Sequence, residues 1–265
     1  MWRLHEIMER NYRYGRRPIV TNPRNEFDFQ VSGHYALYTT PQSKCSGDKS
    51  SYPVPTYEAL KGLVKKIYWK PTFEVEIIKV RVMNPIRFES MGMRIPKMDK
   101  DSQDKSYYTY LKDPKYQVRA RIVWNEAHPE LDEDSNMSKH MAMMKRAIQN
   151  GGRMNPFLGV SECPAWVEPC KFGSGEGAYD NEDIIPLGMM FHSFIYPNMG
   201  MNTAFSEGSM RVVYDDIKMR RGVIEFRTTQ DIPFNQSNLV HVWLPDEVEY
   251  IAGRNFTPVE KEACL

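Results

Sequence analysis

The fold is most clearly predicted by residues 56–82, TYEALKGLVKKIYWKPTFEVEIIKVRV. The first half of this stretch predicts an amphipathic helix from about residue 56 to residue 68, because the apolar residues recur at helical spacing: Leu60, Leu63, Val64 and Ile67. Pro71 ends this helix. The second half alternates between apolar and polar residues as a strand does, but the alternation slips by one residue at Ile77 and Ile78, which predicts a β-bulge.

On both sides of this stretch, the sequence predicts further strands and one more helix. Alternating or apolar runs predict strands at residues 27–39, 107–111, 116–124 and 162–170, the last at a sheet edge because of its prolines. A methionine-rich stripe predicts a second helix at residues 135–150, with Asp134 or Ser135 as its N-cap. Residues 84–106 are irregular, and we interpret them as an insertion loop or as partly disordered. The order strand, helix, strand, strand, helix, strand predicts an α+β protein with a ferredoxin-like (RRM-like) βαββαβ domain.

Three parts follow from this pattern. Residues 1–25 form a basic N-terminal extension, which is either a nucleic-acid-binding arm or a weakly ordered tail, and we favour the tail. Residues 26–178 form the ferredoxin-like domain. Residues 179–265 are turn-rich and contain strand-like runs without a helix, which predicts a small antiparallel β-sheet domain with a tail.

The charge of the chain is balanced overall and divided along its length. The formal net charge is +1, but residues 61–121 carry fifteen Lys or Arg against seven Asp or Glu. Residues 176–265 carry seven against fourteen. This division favours a phosphate-binding face in the basic part, although lysines and arginines also simply solvate exposed faces. An apolar fraction of 41% excludes a disordered chain, and no apolar run is long enough to span a membrane.

The basic residues most suited to contact phosphate lie in loops and on one strand face. Lys44 and Lys49 lie in a polar loop, and Lys70 follows the first helix. Arg119 and Arg121 share one face of the strand at residues 116–124, opposite an apolar face. A sheet face that carries arginines is unusual if it is buried and useful if it contacts phosphate.

The cysteines predict neither a metal site nor a disulfide framework. The four of them, Cys45, Cys163, Cys170 and Cys264, are scattered and form no CxxC pair. Such thiols are typical of a reducing cytoplasm. We therefore expect a cytoplasmic protein without a metal or other cofactor.

Several ordered blocks resemble a known family. They are residues 52–70, the segment NPIRFES at residues 84–90, the segment YTYLKDPKYQV at residues 108–118, the pair Lys139 and His140, and residues 151–177. Together they resemble the CRISPR-associated protein of the fifth Cas family, subtype d, of type I-C (Dvulg) systems, in the RAMP superfamily of ferredoxin-like RNA-binding proteins. The resemblance covers about residues 27–200, whereas the extension before residue 26 and the end after about residue 205 depart from it.

The resemblance implies an activity and a site. It implies a metal-independent endoribonuclease that cleaves the repeat hairpin of the CRISPR precursor transcript and stays on the 5′ handle as a subunit of the type I-C surveillance complex, in antiviral defence. The family's catalytic Tyr, Lys and His match Tyr68, Lys139 and His140. The glycine stretch with Gly173, Gly175 and Gly177 resembles the glycine-rich loop of RAMP proteins, which approaches RNA closely; on composition alone it is equally a flexible linker.

The three matched residues suit cleavage by the ribose 2′-OH. His140 is the natural proton carrier because the pKa of an unperturbed histidine lies near 6.5. Lys139 can stabilise the negative charge of the phosphorane, and Tyr68 can orient the 2′-OH or assist proton transfer. Two other functions stay open, an RNA-binding scaffold subunit that does not cut and a structural subunit that contacts only protein.

Overall fold

The structure is a computed structural model that describes residues 25–44, 47–96, 103–125, 129–195, 209–229, 231–232 and 237–241. It is a mixed α+β fold with two mostly antiparallel sheets and few helices. The helices are α1 (Pro41–Lys44), α2 (Tyr57–Ile67) and α3 (Met137–Gln149), with a 3-10 turn at Pro129–Asp134. The strands are β1 (Glu26–Ser32), β2 (Tyr35–Ala36), β3 (Lys49–Ser50), β4 (Phe73–Val82), β5 (Phe88–Pro96), β6 (Gln103–Lys112), β7 (Lys115–Trp124), β8 (Trp166–Pro169), β9 (Ile184–Ile195), β10 (Ser209–Arg220), β11 (Val223–Glu225) and β12 (Ser237–His241).

Helix α2 confirms the prediction for residues 56–68. The Thr56 hydroxyl accepts a hydrogen bond from the Ala59 N–H at 3.3 Å, which caps the start of the helix. At its end the Tyr68 N–H donates to the Val64 carbonyl at 3.0 Å, and Tyr68 itself is already extended. The end of the helix therefore places the Tyr68 side chain where the chain turns toward β4.

Helix α3 begins slightly later than the sequence predicts. Its N-cap is Asn136, whose side-chain oxygen accepts from the Lys139 N–H at 3.1 Å, so the prediction of Asp134 or Ser135 as the cap is wrong. The reason is the 3-10 turn, which includes Asp134 and uses it for other contacts. Lys139 and His140 consequently fall in the first turn of α3.

The larger sheet has the order β12-β10-β11-β4-β7-β1-β8, with β9 paired to β10. Strand β8 lies at an edge, as its prolines predict. The predicted bulge in β4 is confirmed, because the pairing with β7 steps from Ile77 opposite Ala120 directly to Lys79 opposite Arg119. Every pair of neighbouring strands described in this sheet is antiparallel.

The smaller sheet corrects the interpretation of residues 84–106. Strands β5 and β6 pair as a long antiparallel hairpin from Phe88 opposite Leu111 to Pro96 opposite Gln103, so most of the segment is ordered strand. Residues 90 and 92–94 of β5 are exposed, and so the strand lacks the apolar alternation by which a half-buried strand is detected. Short strands β2 and β3 complete this sheet on β6.

The C-terminal strands continue the larger sheet. Strand β11 pairs with β4, with Ile224 opposite Val80, and joins β9, β10 and β12 to the strands before residue 178. The strands predicted after residue 179 are therefore confirmed, while the division into two domains at that point stays a prediction. Residues 1–24 of the predicted extension lie outside the described residues.

The core lies between the larger sheet and helices α2 and α3. The face of β7 that carries Val118, Ala120 and Ile122 is fully buried. The helices contribute their own apolar stripes to the same cluster, including Leu60 and Met144. The opposite face of β7 carries the arginines, so the alternation of β7 separates the core from a polar surface. No helix among the described residues is long and apolar enough to cross a membrane.

Candidate active site

Tyr68, Lys139 and His140 come together where the end of α2 meets the first turn of α3. The Tyr68 hydroxyl lies 2.9 Å from Nδ1 of His140. Both rings pack against Phe73, the first residue of β4. The centroid of the Phe73 ring lies 5.6 Å from that of Tyr68 and 5.1 Å from that of His140. The side chain of Lys139 projects from the same turn and is half-exposed.

The hydrogen bonds of His140 define its tautomer when the ring is neutral. Its Nε2 lies 2.8 Å from the Asp134 carbonyl oxygen, which can only accept, so Nε2 carries the proton. Nδ1 then has a free lone pair and accepts the hydrogen bond of the Tyr68 hydroxyl. The hydroxyl also lies 3.3 Å from the sulfur of Met143. Both nitrogens of the candidate proton carrier are thus occupied.

Asp134 joins the members of this cluster. Its carboxylate forms an ion pair with Lys139, accepts from the Thr72 hydroxyl at 3.3 Å and lies 3.5 Å from Nε2 of His140. The hydrogen bond from Lys139 holds the pKa of Asp134 below its usual range, and the same bond raises the pKa of Lys139. Both groups therefore stay ionised around neutral pH.

The Tyr68–His140 pair is closed to solvent. His140 is fully buried and Tyr68 is 1% exposed. Burial raises the pKa of Tyr68, with the nearby Arg153 cation as the main opposing influence, so the phenol stays protonated. Lys139 and Asp134 are the partly exposed members of the cluster.

Three residues in contact with the cluster were missed by sequence reasoning. They are Asp134, Arg153, whose guanidinium lies 4.6 Å from the centroid of the Tyr68 ring, and Trp124, whose ring meets that of His140 edge-on at 6.0 Å. The sequence suggested Asp134 only as a helix cap. No periodic signal links these positions to the cluster, because Asp134 and Arg153 reach it through the 3-10 turn and the loop after α3, and Trp124 reaches His140 from the end of β7.

The three lysines that the sequence predicts to bind RNA lie in different parts of the chain. Lys70 is exposed two positions after Tyr68. Lys49, in β3 of the smaller sheet, lies over the Tyr108 ring with its ammonium 4.8 Å from the centroid. The side chain of Lys44 lies outside the described residues.

Arg119 and Arg121 lie on the polar face of β7 and are both in ion pairs. Arg119 donates two hydrogen bonds to Asp28 on β1, at 2.7 and 2.9 Å, and Arg121 donates to Glu76 on β4 at 2.6 Å. These cross-strand pairs account for arginines on a sheet face without invoking phosphate. A role of this face in RNA binding stays a prediction.

The glycine stretch is fastened to that same face. Arg81, which is 6% exposed, donates to the carbonyls of Ser174 at 3.3 Å and Gly175 at 2.9 Å and also bonds both oxygens of Asp180. Gln117 accepts from the Gly173 N–H at 2.9 Å and donates to the Ser174 carbonyl at 2.7 Å. The segment with Gly173, Gly175 and Gly177 is therefore a hydrogen-bonded loop rather than a free linker.

The two cysteines that the structure describes, Cys163 and Cys170, take no part in these contacts. Cys163 and Cys170 carry free thiols, and burial raises the pKa of each to about 11. Cys45 and Cys264 lie outside the described residues. Within the described ranges, no three His, Cys, Asp or Glu side chains are grouped so that they could hold a metal ion.

Comparison with known proteins identifies the family. The model of the Cas5d family, described as CRISPR-associated protein (Cas_Cas5), matches residues 28–227 of this chain. The chain belongs to the Cas5d family. Since the match spans β1 to the residues just after β11, family membership applies to both sides of the predicted boundary at residue 178.

Two relatives of this Cas5d protein carry the name of an endoribonuclease. The CRISPR pre-crRNA endoribonuclease Cas5d of Mannheimia succiniciproducens is 30% identical over 196 residues, which are 66% of this chain and 82% of that protein. The protein of the same name from Thermus thermophilus is 30% identical over 149 residues, 53% of this chain and 62% of that one. A crystal structure described as a CRISPR-associated protein superposes with a TM-score of 0.66 at 35% identity and covers 80% of this chain and 96% of its own.

Proposed function

We propose that this Cas5d protein is a pre-crRNA endoribonuclease that cleaves the repeat hairpin of the CRISPR transcript in the cytoplasm. Two relatives that carry this name support the proposal, and this chain covers most of the first of them. The observation that carries it is the cluster of Tyr68, Lys139 and His140, which brings a proton carrier, a cation and a phenol together where the end of α2 meets the first turn of α3.

The proposed reaction uses the nucleophile of the RNA itself. The ribose 2′-oxygen attacks the adjacent phosphorus, its proton passes to a base, and the bond from phosphorus to the 5′-oxygen breaks. The products are a 2′,3′-cyclic phosphate and a 5′-hydroxyl that takes up a proton. Because the substrate supplies the nucleophile, the step requires two proton transfers and charge stabilisation, and we propose that it proceeds without a metal ion.

Each member of the cluster has a role in this proposal. His140 moves a proton, and Tyr68, held by its hydrogen bond to Nδ1, orients the 2′-OH or relays its proton. Lys139 stabilises the negative charge of the phosphorane. The first turn of α3 adds unpaired N–H groups and the positive end of the helix dipole, which also favour a phosphate there.

The closed geometry adds one requirement. Nε2 of His140 cannot exchange a proton with RNA while it donates to the Asp134 carbonyl. Lys139 cannot bind phosphate fully while it is paired with the Asp134 carboxylate. In our proposal the scissile phosphate takes the place of Asp134 at Lys139, and this exchange moves the 3-10 turn away from His140.

The fold supports a ferredoxin-like RNA-binding unit. We propose that β1, β4, β7 and β8 with α2 and α3 form it, because these strands lie in the order β4-β7-β1-β8 and are all antiparallel. We also propose that the protein stays on the 5′ handle of its product as a subunit of the type I-C surveillance complex. The lysines Lys44, Lys49 and Lys70, the arginines of β7 and the glycine loop would contact the RNA.

The experiment that tests the function is product analysis. Purified protein is incubated with its cognate repeat RNA in EDTA, and the ends of the products are identified by mass spectrometry. Products with a 2′,3′-cyclic phosphate and a 5′-hydroxyl support the proposal. Binding without cleavage would favour the scaffold function, and absence of both would favour a subunit that contacts only protein.

A further inference from the structure

Two arginines without a carboxylate partner lie beside the candidate active site. Arg153 stacks over the Tyr68 ring at 4.6 Å, and Arg146 lies in the last turn of α3. Both residues are exposed. In the part of the chain that the structure describes, neither forms an ion pair, whereas Arg119 and Arg121 are each bonded to a carboxylate. Two guanidinium groups are therefore available to an anion next to Tyr68.

The two arginines share a small cavity with mixed polar and apolar walls. Its volume is about 230 Å³, and it is lined by Met143, Arg146, Ala147, Asn150, Gly152 and Arg153. Met143 separates this cavity from the catalytic cluster, because its sulfur lies 3.3 Å from the Tyr68 hydroxyl. The cavity is thus one side chain away from the Tyr68–His140 hydrogen bond.

The backbone after α3 fixes the position of Arg153. Gly151 and Gly152 have positive φ angles of 77° and 107°, which side chains other than glycine rarely adopt. This turn brings the Arg153 N–H to the Ile67 carbonyl, at 3.1 Å, at the end of α2. The arginine therefore starts from a fixed point between the two helices that carry Tyr68 and His140.

We propose that Arg146 and Arg153 form a phosphate subsite that binds a backbone phosphodiester of RNA adjacent to the one that is cut. The inference rests on the proposed function and names a further part of the same site. Guanidinium groups match phosphate with paired, charge-assisted hydrogen bonds. Holding a neighbouring phosphate aligns the strand relative to Tyr68, which lowers the entropic cost of placing the 2′-OH for attack.

The first test measures RNA affinity as a function of salt. The ligand is repeat RNA with a 2′-deoxy nucleotide at the cut site, which binds but cannot be cleaved. Arg146→Gln and Arg153→Gln should each lower the slope of log Kd against log salt by about one, because each loses one phosphate contact. Arg153→Lys should retain most of the slope. The matched control is Lys145→Gln, an exposed cation on the same helix that lines a different cavity and should keep the wild-type slope.

The second test locates the phosphate. A series of the same RNAs carries one neutral methylphosphonate at successive positions. One position beside the cut site should weaken binding to the wild type and leave binding to the Arg146→Gln/Arg153→Gln double variant unchanged, with circular dichroism confirming that this variant is folded.

The outcomes separate this inference from the proposed function. Arginine variants with wild-type slopes and wild-type sensitivity at every position would overturn the subsite, as would an equal loss in Lys145→Gln. A wild type that binds RNA without cutting would refute the nuclease while the subsite stays measurable. A wild type that does not bind the RNA would overturn both.

Discussion

At the scale of single residues, the side chains of the candidate site are hydrogen-bonded or ion-paired to one another. His140 uses one ring nitrogen for the Tyr68 hydroxyl and the other for the Asp134 carbonyl. Lys139, which stabilises the phosphorane in the proposed reaction, is paired with the carboxylate of the same Asp134. In the proposed reaction, these contacts order the reacting groups before RNA binds, and Asp134 is the group that RNA displaces.

Asp134→Asn should tighten RNA binding several-fold at low salt. The substitution keeps the backbone carbonyl that accepts from His140 and removes the negative charge beside Lys139. Titration of labelled, non-cleavable repeat RNA measures the effect. Asp132→Asn, an exposed acid on the same 3-10 turn, is the matched control and should change affinity less. Weaker binding by Asp134→Asn would mean that the carboxylate positions Lys139 instead of competing for it.

The identities of the three clustered residues were predictable, but their surroundings were not. Tyr68, Lys139 and His140 follow from the family resemblance, and the structure brings them together. Asp134 and Arg153 reach the cluster through a 3-10 turn and a two-glycine turn, whose paths depend on tertiary packing. Sequence periodicity carries no information about such contacts.

At the scale of elements, the glycine loop is held by two buried side chains, Arg81 and Gln117. Arg81 on β4 bonds Asp180 and the carbonyls of Ser174 and Gly175. Gln117 also bonds the loop, but without Arg81 the Gly175 carbonyl loses its hydrogen bond and the Asp180 carboxylate loses its ion pair. The shape of the loop proposed to approach RNA therefore depends on a residue that lies beneath it.

Arg81→Ala should lower the free energy of unfolding by about 1–3 kcal/mol, because it removes the charge-assisted hydrogen bonds from Arg81 to Asp180 and to the loop carbonyls. It should also speed amide hydrogen exchange in residues 173–177. Urea denaturation and exchange mass spectrometry measure the two effects. Arg87→Ala, which removes an exposed arginine just before β5, should change neither. An unchanged exchange rate in Arg81→Ala would show that the loop is held by other contacts.

The junction between α2 and the C-terminal strands contains a buried histidine. His192 on β9 stacks on Tyr57 of α2 with ring centroids 4.2 Å apart, and its Nε2 donates to the Arg227 carbonyl at 3.1 Å. Burial lowers the pKa of His192 to about 4. Since an unfolded histidine titrates near pH 6.5, the unfolded chain binds a proton in this window that the folded protein does not.

The stability of the protein should therefore fall as the pH decreases from 6.5 to 4. The contribution of His192 to this loss is about 3 kcal/mol once the pH is below both pKa values. Urea denaturation at a series of pH values measures it. In His192→Phe, which can keep the stacking on Tyr57, the slope with pH in this window should be reduced. Equal slopes in both proteins would contradict a neutral, buried His192.

Elements with one buried face were predictable, and exposed ones were not. Helix α2, the bulge in β4 and the buried face of β7 all follow from apolar spacing. The hairpin of β5 and β6 does not, because much of β5 is exposed and its charges hide the alternation. The cap of α3 was misplaced because a 3-10 turn precedes the helix.

At the scale of the whole molecule, one sheet links the two parts that the sequence separated. Strand β11 pairs with β4, so the C-terminal strands are hydrogen-bonded to a strand of the basic part. The arginines of β7 are themselves in ion pairs, Arg119 with Asp28 and Arg121 with Glu76. Charge counted along the sequence therefore overstates the positive field that the sheet face presents.

In the proposed reaction, the buried His140 moves a proton with the help of Tyr68 and Lys139. The most direct measurement compares single-turnover cleavage of the cognate repeat RNA in EDTA by the wild type and by His140→Ala and His140→Asn, with RNA affinity measured in parallel. Exposed His34 provides the control variant His34→Ala, which should cleave as the wild type does. We predict that both His140 variants bind RNA with similar affinity and cleave it at least about 100-fold more slowly. Cleavage at the wild-type rate by either His140 variant, or no cleavage by the wild type in EDTA, would contradict the account.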